Sequence, residues 1–394
     1  MMAGLDLARI RADTPAVEDQ SFLHSAGSSL MPRPVVETMI DHIRLEAAIG
    51  GYAAADREQG RLSAVYDSVA GLLNAARDEI ALVENATVGW QMAFYALPWK
   101  AGDRVLTTQS EYAANYVAYL QMAKRCGIVI DVVPNDAFGA IDTAALASMI
   151  DERTKLVAIT WIPTNGGLIN PAAEVGTIAR QAGVLFLLDA CQAVGQMPVD
   201  VQAIGCDMLT GTGRKFLRGP RGTGFLYIRR ELMLRLEPPM IDHFAAPWTS
   251  TSEYTLRPDA RRFETWENNY VGRLGLGAAV DYARAIGLDA IESRCRMLAA
   301  RLRDGLSALP HVILHDLGRD RSAIVSFTVE GRSVLEVLNA AAAERIVIGA
   351  SPPASTRLDS DARGLSFILR ASPHYFNTEA DVDRLIDLAS RMRP

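Results

Sequence analysis

The middle of the chain is a succession of short apolar runs separated by amphipathic stretches. DRVLTT (Asp103–Thr108), IVIDVVP (Ile128–Pro134), KLVAITWIP (Lys155–Pro163), VLFLLDACQ (Val184–Gln192) and GTGFLYIRR (Gly222–Arg230) read as strands. Most are apolar at consecutive rather than alternate positions, as strands covered on both faces are. EYAANYVAYLQMAKRCG (Glu111–Gly127) and PAAEVGTIARQAG (Pro171–Gly183) read as helices between them. The second has proline at its start and glycine at its end, the favoured asymmetry. Strands alternating with helices predict an α/β fold with a mostly parallel sheet sandwiched by helices.

After about residue 275 the texture changes. Gly275–Leu309 is a long helical pattern interrupted at Gly287. SAIVSFTVEG (Ser322–Gly331) and LSFILRASP (Leu365–Pro373) alternate like half-exposed strands. VLEVLNAAAAERI (Val334–Ile346) and ADVDRLIDLASRM (Ala380–Met392) read as amphipathic helices. This predicts a smaller α+β C-terminal domain over 276–394, a large domain over 26–275, and an N-terminal segment, 1–25, packing with the small domain.

Bulk properties narrow the function. The net charge of −6 argues against a nucleic-acid partner, which needs a basic face. The four cysteines, Cys126, Cys191, Cys206 and Cys295, show no zinc spacing. His311 and His315 are four apart within a strand pattern, so no metal site is expected. MMAGLDLARIRADTP lacks a signal-peptide core, and no apolar run reaches the roughly 20 residues that span a bilayer. A soluble cytoplasmic protein with no membrane partner is expected.

The candidate chemistry lies in TGTGRKFLRGPRGTG (Thr210–Gly224), which packs five glycines, three arginines and one lysine into fifteen residues. Such loops cradle phosphate. The dinucleotide pattern GxGxxG fails because Phe216 stands at its third glycine. The pattern GxxxxGK[ST] fails because Arg214 separates Gly213 from Lys215, and Phe216 follows. Covalent chemistry remains. A held, partly desolvated lysine condenses with an aldehyde as a Schiff base. Pyridoxal 5'-phosphate (PLP) is such an aldehyde, and it also needs an anion cup and a carboxylate at its pyridine nitrogen. Asp189 ends the apolar run VLFLLD, where open α/β sheets bind ligands. Gln192 follows three residues later, in reach of the ring oxygen. A strand-end aspartate alone can be a helix cap, and a lone lysine is usually solvated. Together, in this order on one sheet, they point to the cofactor.

The segment Asp189–Ile228 resembles the class V aminotransferase family of PLP fold-type I enzymes, and LRASPHYFNTEADVDRL (Leu369–Leu385) resembles its C-terminal signature. That family includes cysteine desulfurases, selenocysteine lyases, isopenicillin-epimerase-like proteins and the C–S lyases of ergothioneine synthesis. The resemblance runs from about Phe22 to the C-terminus. It implies a fold-type I architecture, a homodimer and a small amino-acid substrate. It implies Lys215 as the Schiff-base lysine, Asp189 as the partner of the ring nitrogen and Gln192 at the ring oxygen. Ala86 and Thr87, in ENATVGW, match a helix start whose amides hold the phosphate. Thr212 and Arg214 add phosphate donors. Tyr112 falls at the ring-stacking position, and PTNGG offers Thr164 or Asn165 to the ring. Arg370 matches the arginine that binds the substrate carboxylate, a task suited to a planar fork. Arg357, His374 and Asn115 complete the expected substrate side, and Arg33 falls in a substrate-side segment.

The chain also departs from parts of that family. Desulfurases carry a nucleophilic cysteine before the C-terminal signature, but Val347–Gly364 has none. They carry histidine before the lysine, whereas Arg214 resembles the ergothioneine-type lyases. Trp266 and Glu267 stand where many relatives have a glycine-threonine pair that reaches the partner subunit's phosphate, leaving Asn268 or Asn269 as substitutes. The expected activity is therefore β-elimination of a C–S bond from a cysteine-derived amino acid, through a carbanion at its α-carbon. Class V transamination or epimerisation is the alternative, and a non-catalytic PLP-binding regulator is a second one.

Overall fold

The computed structural model describes residues 5–393; residues 1–4 of the expected N-terminal segment and residue 394 of the expected small domain lie outside them. The central sheet has seven strands. They are β1 (Ile80–Val83), β2 (Arg104–Thr108), β3 (Val129–Val133), β4 (Thr154–Thr160), β5 (Leu185–Asp189), β6 (Met208–Thr212) and β7 (Gly224–Ile228). In space they run β1-β7-β6-β5-β4-β2-β3. All neighbours pair parallel except at β7, which is antiparallel to both β1 and β6. Consecutive residues feed opposite faces. Phe186 and Leu188 join one apolar core, and Leu187 joins the other. Burial on both faces is why these strands read as continuous apolar runs.

All five expected strands form, with boundaries shifted by up to three residues. β6 differs from expectation, because Thr210, Gly211 and Thr212 belong to a strand and not to a loop. Pairing with β5 on one side and β7 on the other overrides their turn-like composition.

The helices that matter for the site are α1 (Arg33–Ile49), α2 (Gln59–Leu73), α3 (Ala86–Tyr95), α4 (Ala113–Cys126), α5 (Ala172–Ala182), α6 (Tyr270–Ile286), α7 (Leu288–Ser307) and α8 (Glu379–Arg391). Gly127 and Gly183 end α4 and α5 in left-handed conformations. Helix α6 packs along α1 and α2. The expected boundary at residue 275 falls inside this continuous helix, and we propose Gly287 in its place, where φ of 96° separates α6 from α7.

A second sheet holds β8 (Val312–Leu314), β9 (Val325–Val329), β10 (Gly349–Ser351) and β11 (Ile368–Ala371) in the order β8-β9-β11-β10, all antiparallel. Helices α7 and α8 pack together beside it. Ser21–Phe22 pairs in parallel with Ile346–Val347, and His24 bridges Ser372. The architecture is thus the expected mostly parallel α/β sandwich with a smaller α+β unit. His311 and His315 flank β8 and bond to different groups, Ala389 O and Thr328 Oγ1.

Candidate active site

The carboxyl ends of β4, β5 and β6 meet at one place. Asp189 closes β5 and is 5% exposed. Its Oδ1 accepts from the Cys191 amide at 3.0 Å, and its Oδ2 accepts from Asn115 Nδ2 at 3.0 Å. Beyond β6 the chain turns through Gly213, Arg214 and Lys215. Lys215 is 9% exposed. Burial pulls its amine below the ordinary lysine range; Asp189 opposes that shift, while Arg214 and Arg370 add to it. Charge interactions also link Tyr112 to Asp189, Cys191, Arg214 and Arg370. Six side chains from four separate segments therefore converge.

Two features fix the lysine turn. Gly195 has φ of 91°, and any Cβ there would overlap the Leu217 nitrogen and the Phe216 carbonyl carbon. Arg218 is only 1% exposed and has φ of 63°. Its guanidinium donates to Leu30 O at 2.8 Å, Tyr375 OH at 2.9 Å and Thr14 Oγ1 at 2.6 Å. The arginine three residues after Lys215 is thus a structural clamp and no phosphate ligand. The Ser29 amide also donates to Arg214 O at 2.8 Å. The stretch His24–Leu30 forms one wall of the site.

Helix α3 begins beside this turn. Asn85 caps it, accepting from the Val88 amide at 3.0 Å, which leaves the first amides of the helix facing outward. Gly224 pairs with Thr212. A Cβ on Gly224 would lie 2.9 Å from the Ala86 nitrogen, so only glycine lets β7 abut the helix start. Ala86, Thr87, Thr212 and Arg214 are therefore close together, and Arg214 Nη1 donates to Thr212 Oγ1 at 3.1 Å.

On the other side stands Arg370, buried in β11. Its Nη1 donates to the carbonyl oxygen and the hydroxyl of Thr164, both at 2.6 Å. Gln192 Nε2 reaches the same hydroxyl at 3.4 Å and Ala26 O at 3.1 Å. Asn165 turns away and donates to Asp359 Oδ2 at 2.9 Å. Of the two residues offered by PTNGG, Thr164 is the one in the cluster. Gln192 Oε1 and Arg370 Nε are buried without a partner. Unpaired buried polar atoms are costly and mark a place built for a ligand.

Three expected substrate contacts are corrected. Asn115 sits behind Asp189, its amide shared between that residue and Glu111, at 3.0 and 2.9 Å. It has no donor left for a substrate. His374 is fully buried, with Nε2 on Phe216 O at 2.6 Å and Nδ1 on Cys295 Sγ at 3.2 Å. Both ring nitrogens are spent in the core. Arg357 opens a short surface helix, 66% exposed, beside Asp361 at 3.7 Å. A helix start turns it to solvent. Arg33 bonds to Ala12 O at 2.8 Å, and Asn269 caps α6 through the Gly272 amide. Trp266 N–H donates to Asp242, and exposed Asn268 folds back onto Thr265 O.

Two site residues escaped the sequence reading. His24 lies against Gly27 and Gly349, where any Cβ would collide with its ring. Burial, then Arg370, pulls its imidazole down to about 4, so it is neutral. Glu111 precedes Tyr112 and is 3% exposed. It stands one residue before the cap of α4 and has no role in that reading.

Residues 21–385 match the family Aminotransferase class-V. The chain belongs to that family. It is 30% identical over 384 residues to a probable cysteine desulfurase of Methanothermobacter thermautotrophicus, covering 95% of each chain. It is 31% identical over 399 residues to a cysteine desulfurase of Yersinia pestis, covering 96% of each. The apo structure of a cysteine desulfurase from Thermococcus onnurineus superposes with a TM-score of 0.92 at 27% identity, over 99% of this chain and 98% of that one. The fold is PLP fold-type I, the protein is a PLP-dependent enzyme of the lyase or aminotransferase kind, and its cofactor is pyridoxal 5'-phosphate. The buried amine, strand-end carboxylate, helix start and unpaired Gln192 oxygen fit that group. Among the described residues no helix is long and apolar enough to cross a membrane.

Proposed function

We propose that this class V enzyme breaks the C–S bond of a cysteine-type amino acid. The observation that carries the reading is the convergence of the buried Lys215, Asp189 and Arg370 side chains in one cluster. Bound PLP supplies an electron sink for the pair left when a bond at the substrate α-carbon is broken. Arg370, tied to Thr164, holds the substrate carboxylate. Tyr112 would lie against the ring, Gln192 would meet its oxygen, and Asp189 would hold the proton on its nitrogen. Ala86, Thr87, Thr212 and Arg214 hold its phosphate. Lys215 Nζ would hold the cofactor, and its buried amine is placed to take a proton at the substrate α-carbon. A buried amine held low is suited to that task. Two chains assemble as a homodimer, and the enzyme works in the cytoplasm.

The relatives' names favour desulfurisation, in which the carbon skeleton leaves as alanine and the sulfur passes to a thiol. This weighs against the expected separation from desulfurases. One observation supports β-elimination instead, with pyruvate, ammonia and a free thiol as products. Val347–Gly364 carries no cysteine, and the thiol of Cys191, which interacts with Lys215, is pushed well above its ordinary range by burial and then by Asp189. A protonated thiol is a poor sulfur acceptor. Incubation with cysteine, cystine and cysteine S-conjugates, with alanine and pyruvate both measured, decides the branch. Release of neither, beside turnover in a transamination half-reaction, refutes C–S cleavage. A yellow protein bleached by borohydride, with activity lost in Lys215→Ala, is expected; full activity in that variant sinks the mechanism.

A further inference from the structure

Glu111 occupies the junction of three strand ends and one helix start. Its Oε1 accepts from the Tyr112 amide at 2.8 Å and from Asn115 Nδ2 at 2.9 Å, and the Thr160 hydroxyl also lies against it. Its Oε2 faces only hydroxyls, Thr107 Oγ1 at 2.8 Å and Tyr119 OH at 3.4 Å. A hydroxyl accepts as readily as it donates, so a proton on Oε2 has an acceptor beside it. Among the described residues no Lys, Arg or His hydrogen-bonds to Glu111 or pairs with it.

The charged group facing Glu111 is Asp189, joined to it by the one Asn115 amide that donates to both carboxyl groups. Two desolvated carboxyl groups sharing a bridge do not ionise together easily, so one of them keeps its proton well above the ordinary carboxylate range. Asp189 lies toward the Lys215 amine, whereas Glu111 has only neutral neighbours besides Asp189. Glu111 is therefore the one of the two that keeps a proton.

We propose that Glu111 is a positioning residue: as a neutral acid it holds Asn115, and through Asn115 it fixes Asp189 as the single negative charge on that side of the PLP pocket. This rests on the reading of Asp189 as the partner of the ring nitrogen. Supporting it, burial pushes the Glu111 carboxyl up to about 7; the Thr160, Asn115 and Thr107 bonds restrain it, and Asp189 pushes it further. The groups facing Glu111 are Thr107 from β2, the Tyr112 amide, Asn115 and Tyr119 from the start of α4, Thr160 from β4 and Asp189 from β5. Tyr119 stays a neutral hydroxyl, since burial raises it well above its ordinary range. Above the Glu111 transition a second negative charge faces Asp189 through the same amide.

The test compares wild-type holoenzyme with E111Q, N115A and D189N. One readout is PLP affinity, from titration of the apoenzyme with PLP. The other is the cofactor absorption spectrum followed from roughly pH 5 to pH 9. Wild type shows a spectral step near pH 7. E111Q is neutral at every pH, so it loses that step and binds PLP within about threefold of wild type. N115A removes a donor that holds Glu111 down, so its step moves to higher pH. Should E111Q fail to fold, the N115A midpoint decides. A step that persists unchanged in E111Q, a wild type without the step, or an unmoved midpoint in N115A overturns the proposal. D189N weakens PLP binding by about tenfold or more. Unchanged binding in D189N refutes the reading of Asp189; weakened D189N beside a wild-type titration in E111Q refutes only the role of Glu111.

Discussion

Arg370 donates from a single nitrogen, Nη1, to both the carbonyl oxygen and the hydroxyl of Thr164, each at 2.6 Å. The guanidinium is thereby docked by one edge, while its buried Nε has no protein partner. Burial first, and then Arg214, lowers its pKa to about 10 although Tyr112 opposes, so the group stays charged at neutral pH.

Arg370→Lys keeps the charge but loses the planar fork and the Thr164 anchor. The expected fall in kcat/KM for an amino acid is about 100-fold, carried mainly by KM, since two charged hydrogen bonds are lost. The same amine without its carboxylate should be handled alike by both enzymes. Equal KM values for the amino acid in wild type and variant would remove Arg370 from the substrate site.

Arg218 supports the lysine turn from the far side. A buried guanidinium with three oxygen partners also lies 4.6 Å over the Phe376 ring. Arg218→Ala strands those oxygens and opens a cavity. Unfolding free energy should drop by about 3 kcal/mol or more in urea titrations. Lysine at the same place cannot reach all three partners, so R218K should recover less than half of the loss.

Much of this site was legible because its chemistry is local in sequence. Asp189 ends an apolar run, and Lys215 sits in a turn where Arg214 and Phe216 break both nucleotide-loop patterns. Long-range partners were not legible. Whether Asn115 faces a substrate or the back of Asp189 depends on how α4 docks across β4 and β5. His374 lies beside Arg370 in sequence, yet chain direction at the end of β11 sends it into the core against Phe216. His24 entered the site only because Ser21–Phe22 pairs with a strand more than 300 residues away. Thr210–Thr212 read as loop because strand pairing, and not composition, decides their conformation.

Gly195→Ala tests the turn itself. The substitution forces a side chain into a left-handed conformation and into the Phe216–Leu217 backbone. A cost of about 2 to 4 kcal/mol is expected. The backbone carrying Lys215 must move, so PLP content after dialysis should fall well below that of wild type. A stable Gly195→Ala enzyme with full PLP content would show that the turn has more room than this packing allows.

Glu111 also makes stability depend on pH with a definite sign. Its folded pKa lies near 7, above the ordinary value of 4.5. Between those values the folded chain holds a proton that the unfolded chain has released. Stability from this group is therefore complete below about pH 4.5, falls as pH rises, and levels off above about pH 7. Asp200, Asp242 and Asp259 have lowered values and act in the opposite sense, losing their contribution as pH falls below the carboxylate range. Subtracting E111Q from wild type cancels those groups. The unfolding free energy of E111Q relative to wild type should rise steadily from about pH 5 to pH 7 and then stay level. Urea titrations of both apoenzymes at several pH values measure it. A difference that is flat across that window would mean that Glu111 is already ionised in the fold, and the neutral-acid assignment would be wrong.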